Sequence, residues 1–291
     1  MIPQLLINGL VSGALYSLMA LGFALIYNTT KIFHIAHGAV YTVSSYAFFA
    51  SLRLLGLPLA LSLILGLLSG TLLGIIIEIL VYRPLYQKKA SSGVILVSSI
   101  GIYIFIINLI ALIFGNEIKI LAPGIQKTYK YGSIILTQIQ IIEIIVFIAV
   151  LAIFIFMIKA TKFGKLIRAL SNNPTLLSTL GIEVLKLRIG IFAVGSLLAG
   201  ITSCLSAWDI GMDPYVGMPM LLLSAVAMIA GGIGIFEAPV LGAFLITITQ
   251  SVAIWKISSK WQDTITFAIL IIFLLVRPQG ILGKRKRIEE L

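Results

Sequence analysis

At 291 residues, the chain is 60% hydrophobic and only 11% charged, far below the roughly 25% of an average soluble domain. So few charges cannot cover a soluble domain of this size, so a lipid bilayer must be the solvent for most of the chain. The net charge of +11 sits in short clusters between apolar runs, not in a stripe interleaved with aromatics, which argues against nucleic-acid binding and fits membrane-protein loops.

The first thirty residues contain no Lys or Arg, so the N-terminus reads as a retained helix and not a cleaved signal peptide. Crossing ~30 Å of hydrocarbon takes about 20 apolar residues in a helix. Stretches near 5–27, 36–52, 57–81, 93–114, 138–158, 189–208, 219–235, 239–257 and 262–276 meet or approach that length. They predict an all-α polytopic bundle of eight or nine transmembrane helices, forming a single transmembrane domain over residues 1–291. The second and seventh stretches are short and glycine-rich, so either is a candidate broken or re-entrant segment.

Gly9 and Gly13 in the first stretch, and Gly66, Gly70 and Gly74 in the third, recur at a spacing of four. Each set puts glycines on one helix face, where a second backbone can approach closely. Between the fourth and fifth stretches, Pro123-Gly124 and Tyr131-Gly132 precede the β-formers Ile134-Ile135-Leu136-Thr137. This pattern predicts a small hairpin outside the membrane, either a contact for a delivery protein or a plain connector.

Arg83, Lys88 and Lys89 follow the third stretch. Lys159, Lys162, Lys165, Arg168, Lys186 and Arg188 lie between the fifth and sixth, and Arg277, Lys284, Arg285, Lys286 and Arg287 fall in the tail 277–291. These are 14 of the 21 basic residues, and nine alternating spans put all three segments on one side. That side is the cytoplasm, with the N-terminus outside and the C-terminus inside. Lys119, Lys127 and Lys130 in the outer loop run against the trend. Anionic lipid attraction accounts for the terminal basic cluster.

The inner loop 159–188 carries a helix signature. Asn173 is a good N-cap, Pro174 suits the first helical position, and Gly181 suits the left-handed residue past the end. The expected helix, Pro174 to Leu180, has about two turns and places Leu176, Leu177 and Leu180 on one side. That apolar side has three possible neighbours: the membrane surface, a groove on a cytoplasmic partner, or the underside of the bundle. A helix seated in a partner's groove can pass rigid-body motion to the spans on either side of it.

Polar residues within the apolar stretches are few. His34 and His37 are three apart, but without a nearby carboxylate or cysteine they do not suggest a metal site. His34 is expected at the inner membrane boundary and His37 in interhelical hydrogen bonds beside a pathway. Glu78 and Glu143 lie near span ends and read as charges reaching the interface. Glu237 is expected to face the cytoplasm, either solvated or against a partner. Asp209 and Asp213 are placed on the outer side, and Trp208, Trp255 and Trp261 at outer span ends as interfacial anchors. Asn8, Ser12, Tyr16 and His37 are the candidate lining of a translocation pathway. Gly231-Gly232-Ile233-Gly234 lacks the strand, helix and Lys-Ser/Thr of a phosphate cradle. The lone Cys204 excludes an intrachain disulfide.

Several blocks together carry a resemblance. Asn8-Gly9-Leu10 with Gly13, Tyr16 and Leu18-Met19-Ala20-Leu21-Gly22, then Ala36-His37-Gly38, then Arg168-Ala169 with Asn173 and Leu180-Gly181-Ile182 come first. Pro214-Tyr215-Val216-Gly217, Gly231-Gly232-Ile233-Gly234 and Arg277-Pro278-Gln279-Gly280-Ile281-Leu282-Gly283 follow in order. This resembles the permeases of branched-chain amino acid ABC importers. His34 departs from the family's usual asparagine, and Ile235, Glu237 and Ala238-Pro239 from its serine and glycine. These departures bear on the solute, since related permeases carry urea, short amides or other amino acids.

The resemblance implies a bacterial-type inner membrane, a second permease subunit, homologous or identical, and two cytoplasmic ATP-binding subunits. It also implies a periplasmic or extracellular solute-binding protein. ATP and Mg would then belong to the partner subunits, with no cofactor in this chain and no enzyme activity of its own. Asn173, Pro174, Leu176, Leu177, Leu180 and Gly181 would form the ATPase-coupling segment. The rival from another class is a secondary transporter driven by an ion gradient, which calls for acids at mid-membrane depth.

Overall fold

A computed structural model describes residues 2–121, 127–256 and 258–283. Pro123 and Gly124 of the outer loop and the basic cluster 284–287 lie outside the described residues.

Twelve α-helices occur among the described residues: α1 Ile2–Thr30, α2 His37–Phe49, α3 Leu59–Ile77, α4 Arg83–Gln87, α5 Ser92–Phe114, α6 Gln138–Ala160, α7 Lys162–Asn172, α8 Pro174–Thr179, α9 Val184–Ile210, α10 Gly217–Gly231, α11 Ala238–Ala253 and α12 Gln262–Val276. Single π-helical turns at Ala50–Leu54 and Glu78–Tyr82 extend α2 and α3. In hydrocarbon, a helix satisfies its own backbone polar groups, which is why apolar sequence of this kind becomes a helix bundle. Among the described residues, six helical segments are long and apolar enough to cross a membrane. Each of the nine expected stretches contains one helix: α1, α2, α3, α5, α6, α9, α10, α11 and α12.

α1 is the hub. It is buried along most of its length and packs against α9, α10 and α11. α5, α6 and α12 are peripheral and present Leu112, Ile153 and Leu275 outward, each at least 66% exposed. An apolar exterior around a buried centre is the arrangement expected where lipid is the outer solvent.

The short second and seventh stretches form the short helices α2 and α10, of 13 and 15 residues. At 1.5 Å per residue α10 spans only about 22 Å, and α2 reaches about 27 Å only with its π-helical extension. α2 begins beside Phe23, whose ring centre lies 6.2 Å from that of His37, so the loop 31–36 dips into the bundle before α2 starts. The N-termini of α2 and α10 meet there. A Cβ on Gly38 would stand 2.9 Å from the Gly217 carbonyl oxygen, so this contact of two backbones admits no side chain.

The glycine stripe of α3 does what its spacing predicts. Gly66 and Gly70 lie against Ser44 of α2, and Gly74 against Ser196 of α9. Gly70→Leu is therefore expected to cost at least the ~1–3 kcal/mol typical of overpacking. The readout is a lower thermal midpoint and loss of the monodisperse size-exclusion peak. Gly101→Leu is the matched control, because Gly101 of α5 faces open space, and it should change neither.

The predicted hairpin is present: β1 Thr128–Tyr131 pairs antiparallel with β2 Ile134–Thr137. Gln4 clamps it to the start of α1, accepting from the Ile135 N–H at 2.7 Å and donating to the Ile135 carbonyl at 2.9 Å. The last residue of β2, Thr137, caps α6 through a reciprocal pair with Gln140. At the same end, Lys119 and Met212 exchange backbone hydrogen bonds of 2.8 and 3.0 Å across the loops after α5 and α9.

The opposite end gathers the basic segments. Arg188, at the start of α9, stacks over the Tyr86 ring of α4, 4.6 Å from its centre. The chain after α12 folds back on the end of α10, where Ile281 and Leu282 donate to the Ala230 and Gly231 carbonyls at 2.8 and 2.9 Å. These bonds satisfy carbonyls that the helix end leaves open.

Candidate functional site

Two sites emerge, one at each end of the bundle. The first is the connection between α6 and α9. Asn173 caps α8 as its sequence predicts, its side chain accepting from the Leu176 N–H at 2.9 Å. Pro174 opens the helix, and Gly181 takes the left-handed conformation, φ +78°. Leu180 is the residue after the last helical turn, one position short of the expected helix.

The expected single apolar face divides. Leu177 is 4% exposed and joins the main core, whereas Leu176 and Leu180 are 58% and 70% exposed. Successive residues of a helix point about 100° apart, so Leu176 and Leu177 cannot both face the bundle, and Leu180 lies past the last turn. Thr175 and Ser178 are exposed beside them.

The connection is also less of a loop than expected. α7 fills residues 162–172, and α9 starts at Val184, so Lys186 and Arg188 belong to a helix. The signal for α7 was present in the sequence: Phe163, Leu166, Ile167 and Leu170 follow the i, i+3, i+4, i+7 pattern behind the N-cap Thr161. Ile167 and Leu170 are buried.

Asn28, near the end of α1, ties this platform to the glycine turn. Its backbone carbonyl accepts from Ser171 Oγ at 2.9 Å, and its side-chain oxygen accepts from the Gly234 N–H at 3.0 Å. Lys159 and Glu237 form an ion pair of 3.1 Å alongside. Lys159, Ser171, Gly234 and Glu237 border a cavity of about 320 Å³ between the α6–α7 corner and the segment before α11. Asn28→Ala removes the bond to Gly234 and leaves the backbone bond to Ser171, so it is expected to loosen the glycine turn by the worth of one hydrogen bond, about 1 kcal/mol. Faster amide exchange at 232–236, with α5 unchanged, would register it. Nothing in the sequence distinguishes Asn28 from any helix-end asparagine.

Three polar residues depart from their expected positions. Glu78 does not reach the interface: it is 1% exposed and holds Arg188, 2% exposed, in a two-pronged pair of 2.5 and 3.0 Å. The two residues are 110 positions apart, and neither flanking sequence marks the pair. His34 is not at a solvated boundary but fully buried, its Nδ1 2.8 Å from the Tyr82 hydroxyl. That hydroxyl donates to Ser99 Oγ at 2.7 Å, and Ser99 accepts from the Ala36 N–H at the start of α2 at 2.9 Å. Burial follows from the inward dip of the loop, which carries His34 into contact with Phe192.

Glu143 is the third. It is fully buried, and neither carboxylate oxygen has a hydrogen-bond partner. It lines the second site, a cavity of about 250 Å³ at the hairpin end. Asn8, Ser12 and Tyr16 of α1 line the same cavity, one helical turn apart, as do Ser206 and Asp209 of α9. Three of the four expected pathway residues thus come together. His37 does not join them. It is enclosed at the start of α2, its ring centre 5.4 Å from that of His34. Asp213 shapes a turn by accepting from the Tyr215 N–H at 2.8 Å. Trp255 and Trp261 are exposed at span ends, whereas Trp208 is half-buried against Phe48.

A family model described as the permease component of the branched-chain amino acid transport system matches residues 5–274. The high-affinity branched-chain amino acid permease protein LivH of Escherichia coli K12 is 29% identical over 97% of this chain and 95% of its own. BraD of Pseudomonas aeruginosa is 27% identical over the same shares. The probable LivH of Methanocaldococcus jannaschii is 25% identical over 96% of this chain and 92% of its own. Among solved structures, PsaBC from Streptococcus pneumoniae in complex with Fab aligns with a TM-score of 0.52 at 15% identity, covering 94% of this chain and 91% of that one, a likeness of fold. The multi-pass helical bundle and the matched length agree: this chain belongs to the family of branched-chain amino acid transport system permease components.

Proposed function

We propose that this chain is the transmembrane subunit of an ABC importer that moves branched-chain or related amino acids into the cytoplasm by alternating access. The reading places it in a bacterial-type inner membrane, N-terminus outside and C-terminus in the cytoplasm. Its partners are a second permease subunit, two ATP-binding subunits that hold ATP and Mg, and an external solute-binding protein. The observation that carries the reading is α8, a capped helix beneath the bundle with Leu176 and Leu180 exposed. Two exposed leucines on a fixed helix suit a groove on a cytoplasmic partner. α7 and Asn28 join that helix to α6, α9 and α1, so a displacement of α8 would tilt those spans. The pathway is assigned to Asn8, Ser12 and Tyr16, which line the outer cavity, and to His37, buried at the start of α2.

The unpartnered Glu143 favours the rival, an ion-gradient-driven carrier. Purification of tagged protein followed by uptake of labelled leucine into vesicles separates the two. The importer reading expects an ATPase to co-purify and uptake to require ATP. Uptake by this chain alone on an ion gradient would overturn it. Labelled urea and acetamide in the same vesicles test the amide-carrying alternative.

A further inference from the structure

We propose that the outer cavity between α1, α6 and α9 recognises a primary ammonium group through Glu143 and Asp209. The cavity is graded. Asn8 at its rim is exposed, Ser12 and Tyr16 are half-buried, and Ser206 and Glu143 are buried. Two carboxylates face it, and its lining residues include no Lys or Arg. Glu143 has no hydrogen-bond partner on either oxygen. An isolated buried carboxylate is costly, and a cation that also donates hydrogen bonds removes the cost.

The neutral groups around it narrow the class of cation. Ser12, Tyr16 and Ser206 contribute hydroxyl oxygens, and Asn8 a side-chain carbonyl that also accepts from Gln4 Nε2 at 2.9 Å. Hydroxyls and an amide carbonyl can accept hydrogen bonds beside the two carboxylates. A primary ammonium carries three donors and no acceptor, which complements such a ring of oxygens. A bare alkali ion would be held by the same oxygens through charge alone, so the sodium arm of the titration below separates the two. The cavity opens at the hairpin end, where a solute delivered from outside would arrive, and its ~250 Å³ admits a small one. The proposal depends on the transport reading only for which solute carries the ammonium.

The test is calorimetric titration of the purified full chain in lipid nanodiscs, without ATPase or gradient. The probes are leucine, isopentylamine (leucine without its carboxylate), 4-methylpentanoate (leucine without its ammonium), ammonium chloride and sodium chloride. Binding of leucine or isopentylamine but not 4-methylpentanoate supports the site and identifies a solute's ammonium as the ligand. Saturation by ammonium chloride alone among the amines supports it with the free ion as the ligand. Glu143→Gln and Asp209→Asn should each weaken amine binding about tenfold or more, the scale of one charge-assisted hydrogen bond. Should the first variant fail to fold, the second carries the same expectation.

Failure of every amine to bind overturns the proposal. So does 4-methylpentanoate or sodium binding as well as the amines, or unchanged affinity in folded variants. Such a failure alongside intact ATP-driven leucine uptake sinks the ammonium site alone. Amine binding without ATP-driven uptake sinks the importer reading alone.

Discussion

Arg188→Met is expected to destabilise the bundle by about 3–5 kcal/mol, because it leaves Glu78 buried without its counter-charge. Both residues are almost completely enclosed, and the guanidinium meets both carboxylate oxygens, so water does not take its place. The matching double variant, Glu78→Leu with Arg188→Met, should recover most of the loss, since an apolar pair removes both desolvation penalties. The pair also lies where α3 meets α9, close to α8. Glu78 begins the π-helical turn that extends α3, and Arg188 lies in the second turn of α9, just past the α8 connection. The double variant should therefore fold yet uncouple, with thermal midpoints near the parent and ATP-driven uptake reduced. Recovery of both stability and full uptake would show that the pair only holds the bundle together.

Leu176→Asp with Leu180→Asp is expected to abolish ATP-driven uptake, at least tenfold, while leaving the fold unchanged. Both side chains are exposed, so carboxylates there stay in water in the isolated chain. In a partner's apolar groove the same carboxylates would be buried without cations, at several kcal/mol each. Leu177→Ala should behave in the opposite way, removing a buried leucine from the core for about 2–5 kcal/mol. Thermal unfolding and uptake measured on the same preparations separate the two classes. An aspartate pair that unfolds the protein would mean that α8 packs more tightly than its exposure indicates.

Most of the architecture was legible in the sequence because a membrane forces it. An apolar stretch has no option but helix, so positions such as 93–114 and 262–276 nearly coincide with α5 and α12. Gly66, Gly70 and Gly74 announced a packing face by spacing, and Asn173-Pro174 with Gly181 announced α8 by cap chemistry. What the sequence hid was depth. His34, Glu78 and Glu143 lie at ends of apolar runs and read as boundary residues, yet the bundle encloses all three. Depth depends on where a loop turns inward and on which neighbour covers it, and both are tertiary facts. The Glu78–Arg188 partnership is equally invisible, for each charge has an adequate local explanation until the two helices are side by side. The outer site was half legible. Asn8, Ser12 and Tyr16 form a polar stripe one turn apart, but the opposing Glu143 and Asp209 come from helices that only the fold brings near.

The proposed docking of α8 on an ATP-binding partner is measured most directly by cysteine cross-linking. The native Cys204 is buried at 1% exposure, so a single cysteine introduced by Ser178→Cys gives a clean site in the folded protein. With a short bifunctional reagent on membranes that contain the whole transporter, an adduct between this chain and an ATPase subunit is expected. That adduct should change in yield when ATP is added. Adducts only with lipid or with a second copy of this chain, in the same membranes, would contradict it.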